Sequence, residues 1–204
     1  MTAITLRSLN YSVHVLERSS PQALQSQAAG IRAGPELHSF IETYVKDFDP
    51  NYAITPDAFE IVKKSGEVEM TIPQSDPLRL TTWKCVYNML RVALLSGERV
   101  MSSAVYEMGT RVEGVKAEGG KVIVTYRTLG NDTVQTLEAN FLVAADGAHS
   151  TVRKLVSTED VKPKYAGYVT WRGRVPEDVV SPETRDALQK RCVVMRVQGG
   201  YMIS

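Results

Sequence analysis

The sequence predicts an α/β fold, α+β overall, on the strength of three observations. Residues 1–9 carry apolar side chains at helical spacing and lead directly into a β-rich run at 11–16. From residue 111 to 138 the apolar period changes to two, which is typical of antiparallel strands. The run 141–145 is fully apolar, as are strands of a parallel sheet that is covered on both faces. A helix-covered parallel sheet with an added antiparallel meander accounts for all three.

The N-terminal segment predicts half of a nucleotide-binding unit. Its helix runs straight into the strand, Asn10 separates the two, and the strand ends at Glu17. In a dinucleotide-binding βαβ unit a glycine-rich turn precedes the helix, and an acidic residue lies about 20 residues beyond that turn. Counting back from Glu17 places the turn before Met1, so we expect this end to interrupt a longer fold.

The elements that follow are predicted by the apolar period and by the turn residues that interrupt it. The clearest is a helix over 80–95, where Trp83, Val86 and Leu90 belong to one apolar stripe. In chain order we predict a helix over 37–44, hairpin strands at 59–62 and 68–72, the helix over 80–95, a β-meander over 111–138, a strand over 141–145, a helix over 151–155, and strands over 165–175 and 191–203. The last strand stops at Ser204, so we expect an interruption at this end too.

Composition and charge argue against several classes of protein. The chain has 204 residues, 43% of them hydrophobic, and a net charge of +1, as in a globular protein of one large or two small domains. A near-zero net charge argues against a nucleic-acid partner, and no apolar run approaches the roughly 18 residues of a membrane helix. Two cysteines and three histidines indicate neither a disulfide framework nor a metal site. Without a basic-then-apolar leader, a cytoplasmic location is expected.

Glu17 is the first candidate site residue. Ligands of an open parallel sheet bind at the carboxyl ends of its strands, which is where Glu17 is expected. A carboxylate there can accept both hydroxyl protons of the ribose of an adenine nucleotide. The alternative is a surface glutamate that begins a loop. The neighbouring Arg18 either stacks on the adenine or is solvated.

The second candidate is the segment 142–153. We expect the apolar strand to end at Asp146, the pair Asp146 and Gly147 to make a sharp turn, and Ser150 to cap a helix. Gly147 has no Cβ, so its backbone can approach a ligand closely. Asp146 is then expected at the same edge of the sheet as Glu17, beside a shared nucleotide crevice. The alternative is a strand–turn–helix connection without a ligand.

Four segments of the chain occur together, and in this order, in one known family. They are VHVLERS at 13–19, LTTWKCVYNMLRVAL at 80–94, ADGAHSTVR at 145–153 and YAGYVTWRG at 165–173. With these segments the chain resembles the class A flavoprotein monooxygenases, the para-hydroxybenzoate hydroxylase-like family, and in particular the 2,6-dihydroxypyridine hydroxylase-like branch. The resemblance covers nearly the whole chain, and the order of the four segments is more specific than any one of them.

The resemblance implies a FAD-binding Rossmann domain of the glutathione-reductase type with a β-meander, interleaved with a β-sheet substrate domain, both incomplete. Residues 1–45 and 76–160 would form the FAD-binding part, and 46–75 and 161–204 the substrate-binding part. In this family NAD(P)H reduces the flavin, and a flavin hydroperoxide transfers one oxygen atom to an aromatic or heteroaromatic ring. The implied cofactor is FAD, which carries the redox chemistry, and the implied partner is a small aromatic substrate. Homo-oligomer formation is left open.

The resemblance also implies roles for individual residues, although no catalytic residue is identified. Glu17 would bind the adenosine ribose, Gly30 and Ile31 would pass close to the flavin, and Asp146 with Gly147 would support the pyrophosphate region. The residues implied at the cofactor are Glu17, Arg18, Gly30, Ile31, Arg79, Asp146 and Gly147, and those implied on the substrate side are Tyr168 and Arg172.

Some of these roles have a plainer alternative. Arg79 would be a cationic contact to the cofactor, or only a surface charge beside the start of a helix. Arg32 has a similar claim to contact the cofactor. Tyr168, like Trp171, is a substrate-side residue or a packing residue.

Two family motifs are missing from the chain, the GxGxxG turn and a later Gly-Asp motif. The first normally holds a pyrophosphate on the N-terminus of a helix. We therefore expect the chain alone to bind FAD weakly or not at all. One alternative is a catalytically inactive partial homologue unable to hold FAD on its own. Another is a reductase that uses NAD(P) without flavin, which fits Glu17 but leaves the segment 145–153 unexplained.

Overall fold

The computed structural model describes residues 1–25, 29–73, 79–96, 102–131, 133–158, 162–173, 175–189 and 191–203. The chain forms two compact units. The first unit comprises Met1–Thr5, Gln27–Ser96 and Arg172–Ser204, and the second unit comprises Leu6–Ser26 and Gly97–Trp171. Each unit is therefore assembled from separate stretches of the chain.

Helices and strands alternate along most of the described chain. The α-helices are α1 (Thr2–Ser8), α2 (Pro21–Gln25), α3 (Pro35–Tyr44), α4 (Trp83–Leu95), α5 (Thr151–Val156) and α6 (Pro182–Leu188). The strands are β1 (Val13–Glu17), β2 (Gly30–Ala33), β3 (Ala58–Val62), β4 (Val68–Ile72), β5 (Arg79–Thr82), β6 (Ala104–Met108), β7 (Thr110–Glu118), β8 (Lys121–Thr128), β9 (Val134–Ala139), β10 (Arg191–Val197) and β11 (Gly200–Ile203). The mixed α/β fold class predicted from the sequence is confirmed.

The second unit contains a parallel strand pair and the predicted meander. Strand β1 pairs with β6 in parallel, with Val13 opposite Ala104 and Glu17 opposite Met108. Strands β7, β8 and β9 form an antiparallel sheet in that order. The turn between β7 and β8 is made by two glycines with positive φ, a conformation in which glycine lacks the Cβ penalty of other residues. Both β1 and α5 pack against β7.

The first unit contains a four-stranded mixed sheet in the order β11-β10-β3-β4. The predicted hairpin is the antiparallel pair β3 and β4, and β10 joins β3 in parallel. An ion pair fastens this parallel contact, because Arg191 Nε lies 2.7 Å from Glu60 Oε2. The same guanidinium donates to the carbonyl of Ala187 at 2.8 Å, which ties the end of α6 to the sheet.

A small hydrophobic core in the first unit joins the antiparallel pair β2 and β5 to α3 and α4. Its fully buried members are Ala33, Ile41, Val45 and Tyr52, and half-buried side chains from α3 and α4 pack around them. Helix α4 begins at Trp83 rather than at residue 80 because residues 79–82 pair with β2. The hydroxyl oxygen of Thr82 then caps the helix by accepting from Cys85 N at 3.2 Å.

Two predicted strands are wrong. The run 141–145 is not a strand in the structure, and Phe141 is 73% exposed. The residues described between 165 and 175 are not a strand either, and Trp171 is 91% exposed. An apolar sequence becomes a strand only where a neighbouring strand pairs with its backbone, and neither segment has such a neighbour in the described part of the chain.

Among the described residues, no helix has the length and apolar character that a membrane span requires. No cluster of three or more histidine, cysteine, aspartate or glutamate side chains among them is arranged to hold a metal ion.

Candidate functional site

Glu17 lies at the carboxyl end of parallel strand β1, where the sequence predicts it. Its side chain is half-buried, and Oε1 accepts the backbone N–H of Ser19 at 2.6 Å. This contact turns the carboxylate back over the end of the strand. A carboxylate offers about four lone-pair sites, so Glu17 has capacity for further donors such as a pair of ribose hydroxyls.

Thr110, which the sequence did not single out, fixes the strand end that carries Glu17. Thr110 is 3% exposed, and its Oγ1 donates toward the carbonyl oxygens of Glu107 at 3.2 Å and Glu17 at 3.4 Å. In addition, Gly109 N donates to Ser19 O at 3.1 Å. The ends of β1 and β6 are thus held together at the connection into β7. A threonine that follows a glycine gives no distinctive sequence signal for this role.

Asp146 organises the turn before α5 through both of its oxygens. Its Oδ1 accepts from Ser150 Oγ at 2.5 Å, and its Oδ2 accepts from the backbone N–H groups of Thr151 at 2.6 Å and Val152 at 3.0 Å. Ser150 Oγ in turn accepts from Arg153 N at 2.9 Å, so the predicted cap of the helix is confirmed. The expectation that Asp146 ends a strand is wrong, because residues 141–145 form none.

The hydrogen bonds to Asp146 also set its protonation. Burial acts to raise the pKa of the carboxyl group, but the bonds from Ser150, Val152 and Thr151 outweigh burial and hold the pKa below 3.8. The carboxylate is therefore charged at neutral pH and complements the positive end of α5. Gly147, the next residue, has a φ of 78° and open space where a Cβ would lie. Its backbone is accessible to a ligand.

The remaining cofactor candidates lie on the pair β2 and β5 in the first unit. Gly30 is opposite Thr82 and Ile31 is opposite Thr81, while Arg79 is opposite Ala33. Gly30 is exposed, and nothing lies within 4 Å of the place where its Cβ would be. These three candidates therefore lie on the same pair of hydrogen-bonded strands, the β2 and β5 ladder.

The substrate-side candidates and Arg18 are all exposed. Tyr168 and Arg172 lie in residues 162–173, which carry no helix or strand. Arg18 directly follows Glu17 and points into solvent.

Two further residues that the sequence did not single out lie beside the β2 and β5 ladder. The phenol oxygen of Tyr52 is 2.9 Å from His38 Nδ1, and the backbone carbonyl of Tyr52 accepts from Thr81 Oγ1 at 2.5 Å. The sequence signal for them is weak, because a single histidine in a short helix and a tyrosine in an irregular connection have no distinctive spacing.

Comparison with known proteins identifies a family. A family model described as FAD binding domain matches residues 1–176, and one described as FAD binding domain-like matches residues 165–204. Together the two matches cover every motif on which the sequence predictions depend.

Among curated proteins, the chain is 28% identical over 203 residues to 2,6-dihydroxypyridine 3-monooxygenase of Paenarthrobacter nicotinovorans. That match covers 99% of this chain and 47% of that protein, so the chain spans about half the length of this relative. The chain is also 49% identical over 41 residues to the FAD-dependent urate hydroxylase of Klebsiella oxytoca. Those residues cover 20% of this chain and 11% of that protein. A stretch of 49 residues is 47% identical to 3-amino-4-hydroxybenzoate 2-monooxygenase of Streptomyces cremeus, 24% of this chain and 12% of that protein.

Solved structures share the fold at low sequence identity. The p-nitrophenol 4-monooxygenase PnpA from Pseudomonas putida DLL-E4 is 20% identical with a TM-score of 0.63, over 76% of this chain and 40% of that one. FqzB is 16% identical with a TM-score of 0.64, over 95% of this chain and 44% of that one.

Proposed function

Because the chain belongs to the FAD binding domain family, we propose that it serves a FAD-dependent monooxygenase reaction on an aromatic or heteroaromatic ring, with NAD(P)H as the reductant. The observation that carries the proposal is the family match over residues 1–176. The division into FAD-binding residues 1–45 and 76–160 and substrate-binding residues 46–75 and 161–204, and a cytoplasmic location, are parts of the same proposal.

The residues present fit the adenosine and pyrophosphate ends of FAD. Glu17 is a half-buried carboxylate at the end of a parallel strand, which suits two ribose hydroxyls. Gly147 offers a backbone that no side chain covers. Bound FAD supplies the redox chemistry, while the protein supplies binding and orientation.

Asp146 contributes to this site indirectly. Its carboxylate already accepts hydrogen bonds from the N–H groups of Thr151 and Val152, and it carries a negative charge. A pyrophosphate would be repelled by that charge and could not use those two donors. We therefore assign Asp146 to holding the turn in which Gly147 is presented, and Gly147 to the approach of the cofactor.

Arg79 is the cationic residue of the proposed site in the first unit. It is half-buried at the start of β5, on the same ladder as Gly30 and Ile31. A guanidinium held in this way presents a fixed set of donors to an anionic or carbonyl group. In the proposal it orients the cofactor rather than reacting with it.

A FAD titration of the purified chain tests the cofactor assignment. We expect weak but saturable binding, measured by quenching of flavin fluorescence, and binding about tenfold weaker in Glu17→Gln because a charge-assisted hydrogen bond to a hydroxyl is lost. The control is Glu113→Gln, which makes the same charge change at an exposed residue of the same unit. Absence of binding by the unmodified chain would favour the inactive partial homologue, and equal binding by Glu17→Gln would remove Glu17 from the site.

The substrate class requires a separate assay. The three curated relatives are named for 2,6-dihydroxypyridine, urate and 3-amino-4-hydroxybenzoate. We expect one of these rings to stimulate oxidation of NADH or NADPH in the presence of FAD, with one atom of ¹⁸O₂ found in the product by mass spectrometry. FAD binding without product from any of the three would separate cofactor binding from hydroxylation.

A further inference from the structure

Tyr52 holds strand β5 from the edge that faces away from β2. The carbonyl oxygen of Tyr52 accepts from Thr81 Oγ1 at 2.5 Å and from Cys85 Sγ at 3.7 Å. Two residues later, Ile54 and Leu80 exchange backbone hydrogen bonds of 2.7 and 2.8 Å. Strand β5 is therefore held by β2 on one edge and by residues 52–54 on the other.

The side chain of Tyr52 anchors this segment to α3. The residue is 7% exposed, and its phenol oxygen lies 2.9 Å from His38 Nδ1. On the other side of the imidazole, His38 Nε2 lies 3.4 Å from Glu42 Oε1, and the Glu42 side chain is 57% exposed. Polar contacts thus run from a solvent-facing carboxylate through the imidazole to a buried phenol.

The neighbouring groups suit one tautomer of His38. We assign the proton to Nε2, because the carboxylate of Glu42 only accepts. With this assignment Nδ1 has a lone pair and accepts from the hydroxyl of Tyr52. The charged and titratable groups that face Tyr52 are Arg79 on β5, Glu42 on α3 and Cys85 on α4.

Burial keeps the Tyr52 hydroxyl protonated. Burial raises the pKa of Tyr52 above 10.0, the Arg79 guanidinium acts to lower it, and Glu42 and Cys85 act to raise it. The phenol therefore stays protonated at neutral pH and can donate a hydrogen bond.

We propose that Tyr52 is a positioning residue for the β2 and β5 ladder, which carries Gly30, Ile31 and Arg79. The proposal rests on the proposed function, in which this ladder meets FAD. Without the phenol hydroxyl, residues 52–54 lose their hydrogen bond to α3 and hold strand β5 less firmly, so FAD affinity falls.

FAD affinity at neutral pH tests the positioning role. We expect Tyr52→Phe to bind FAD about fivefold more weakly than the unmodified chain, as for loss of one hydrogen bond. His38→Gln is expected to behave in the same way, which guards against a folding defect peculiar to one variant. The controls on α3 are Tyr44→Phe and Glu36→Gln. They alter a phenol and a carboxylate that take no part in the contacts of Glu42, His38 and Tyr52, and we expect them to leave FAD binding unchanged.

Measurements without FAD separate this proposal from the proposed function. In ¹⁵N NMR spectra we expect the Nε2–H tautomer of His38 in the unmodified chain, a shifted Nδ1 signal in Tyr52→Phe, and faster hydrogen exchange of the Leu80 amide. If the chain binds no FAD but shows these changes, the proposed function fails and the positioning role of Tyr52 stands. An unchanged Nδ1 signal and unchanged Leu80 exchange in Tyr52→Phe, or FAD affinity equal to that of the unmodified chain, would overturn the positioning role.

Discussion

Asp146 shows at the scale of one residue what the sequence could and could not predict. The turn, the Ser150 cap and the helix that begins at Thr151 were predicted from residue types alone, because few residues accept hydrogen bonds at a helix N-terminus. That both carboxylate oxygens would be used within the turn was not predictable. It depends on φ and ψ of the residues between Asp146 and Val152, which the residue types leave open.

The first prediction concerns Asp146. We expect Asp146→Asn to lower the free energy of unfolding by about 1 kcal/mol at neutral pH, because acceptors and charge are lost at the start of α5. The pKa of Asp146 is below 3.8 in the folded chain, so its contribution is complete above pH 3.8 and is lost as the pH falls through the folded value. Urea unfolding from pH 7 to pH 3 measures both effects. Asp57→Asn serves as the control, since it makes the same charge change at an exposed residue. An equally steep loss below pH 4 in Asp146→Asn would contradict the assignment.

The second prediction compares two glycines. Gly147 has a φ of 78°, whereas Gly30 does not lie in the left-handed region, and both have open space for a Cβ. Gly147→Ala is therefore expected to cost about 1 kcal/mol of stability from backbone strain, and Gly30→Ala to cost nothing measurable. Thermal unfolding measures the difference. If Gly30→Ala nevertheless weakens FAD binding, the methyl group meets the cofactor; if both variants unfold alike, the conformational argument fails.

At the scale of elements, every predicted helix is present in the structure, whereas two predicted strands are not. The periodic stripe of α4 lies within the chain segment that forms it, whereas a strand also needs a partner that the local sequence does not specify. Residues 80–82 belong to strand β5 rather than to the first turn of that helix, which the local sequence does not show because their pairing with β2 joins residues about 50 positions apart. The run 141–145 and the described residues of 165–175 have strand sequences and form no strand for the same reason.

The third prediction concerns the parallel contact of β3 with β10. Glu60 is largely buried, and it pairs with Arg191 across the ladder. Glu60→Gln leaves the guanidinium without its charge partner and is expected to lower the free energy of unfolding by about 1–3 kcal/mol. Glu67→Gln breaks an exposed ion pair with Lys63 in the same hairpin. It should change the free energy of unfolding by less than about 0.5 kcal/mol. Denaturant unfolding compares the two, and equal effects would show that the Glu60 pair contributes no more than a surface pair.

For the whole molecule, the resemblance to class A FAD monooxygenases is confirmed by the family match and by the similar folds of solved structures. The order of four motifs was enough for this, because the order of motifs along a chain survives when most residues change. The shared crevice of Glu17 and Asp146 was the weaker part of the prediction. Glu17 lies at a parallel strand end as expected, and Asp146 does not.

The fourth prediction covers both units at once. Burial raises the pKa of Tyr52 in the first unit and of Tyr126 in the second above 10.0, and Glu107 raises the pKa of Tyr126 further. The unfolded chain ionises these phenols first, so stability is complete below pH 10 and is lost as the pH rises toward the folded values. Unfolding in urea between pH 8 and pH 11, with absorbance at 295 nm, measures this loss. Tyr126→Phe should reduce this loss of stability, and Tyr201→Phe, at an exposed residue, should not. Equal curves for the unmodified chain and the two variants would contradict the assignment.

The uncovered run at 141–145 also affects how the protein behaves in concentrated solution. It is a short, uncharged, β-prone stretch with Phe141 in contact with water, and such stretches recruit copies of themselves into intermolecular sheets. Glu138 and Asp146 flank it and act as gatekeepers, because two copies stacked in register would bring like charges together. Aggregation during purification should therefore worsen at high salt, where those charges are screened, and ease when a charge replaces Val143.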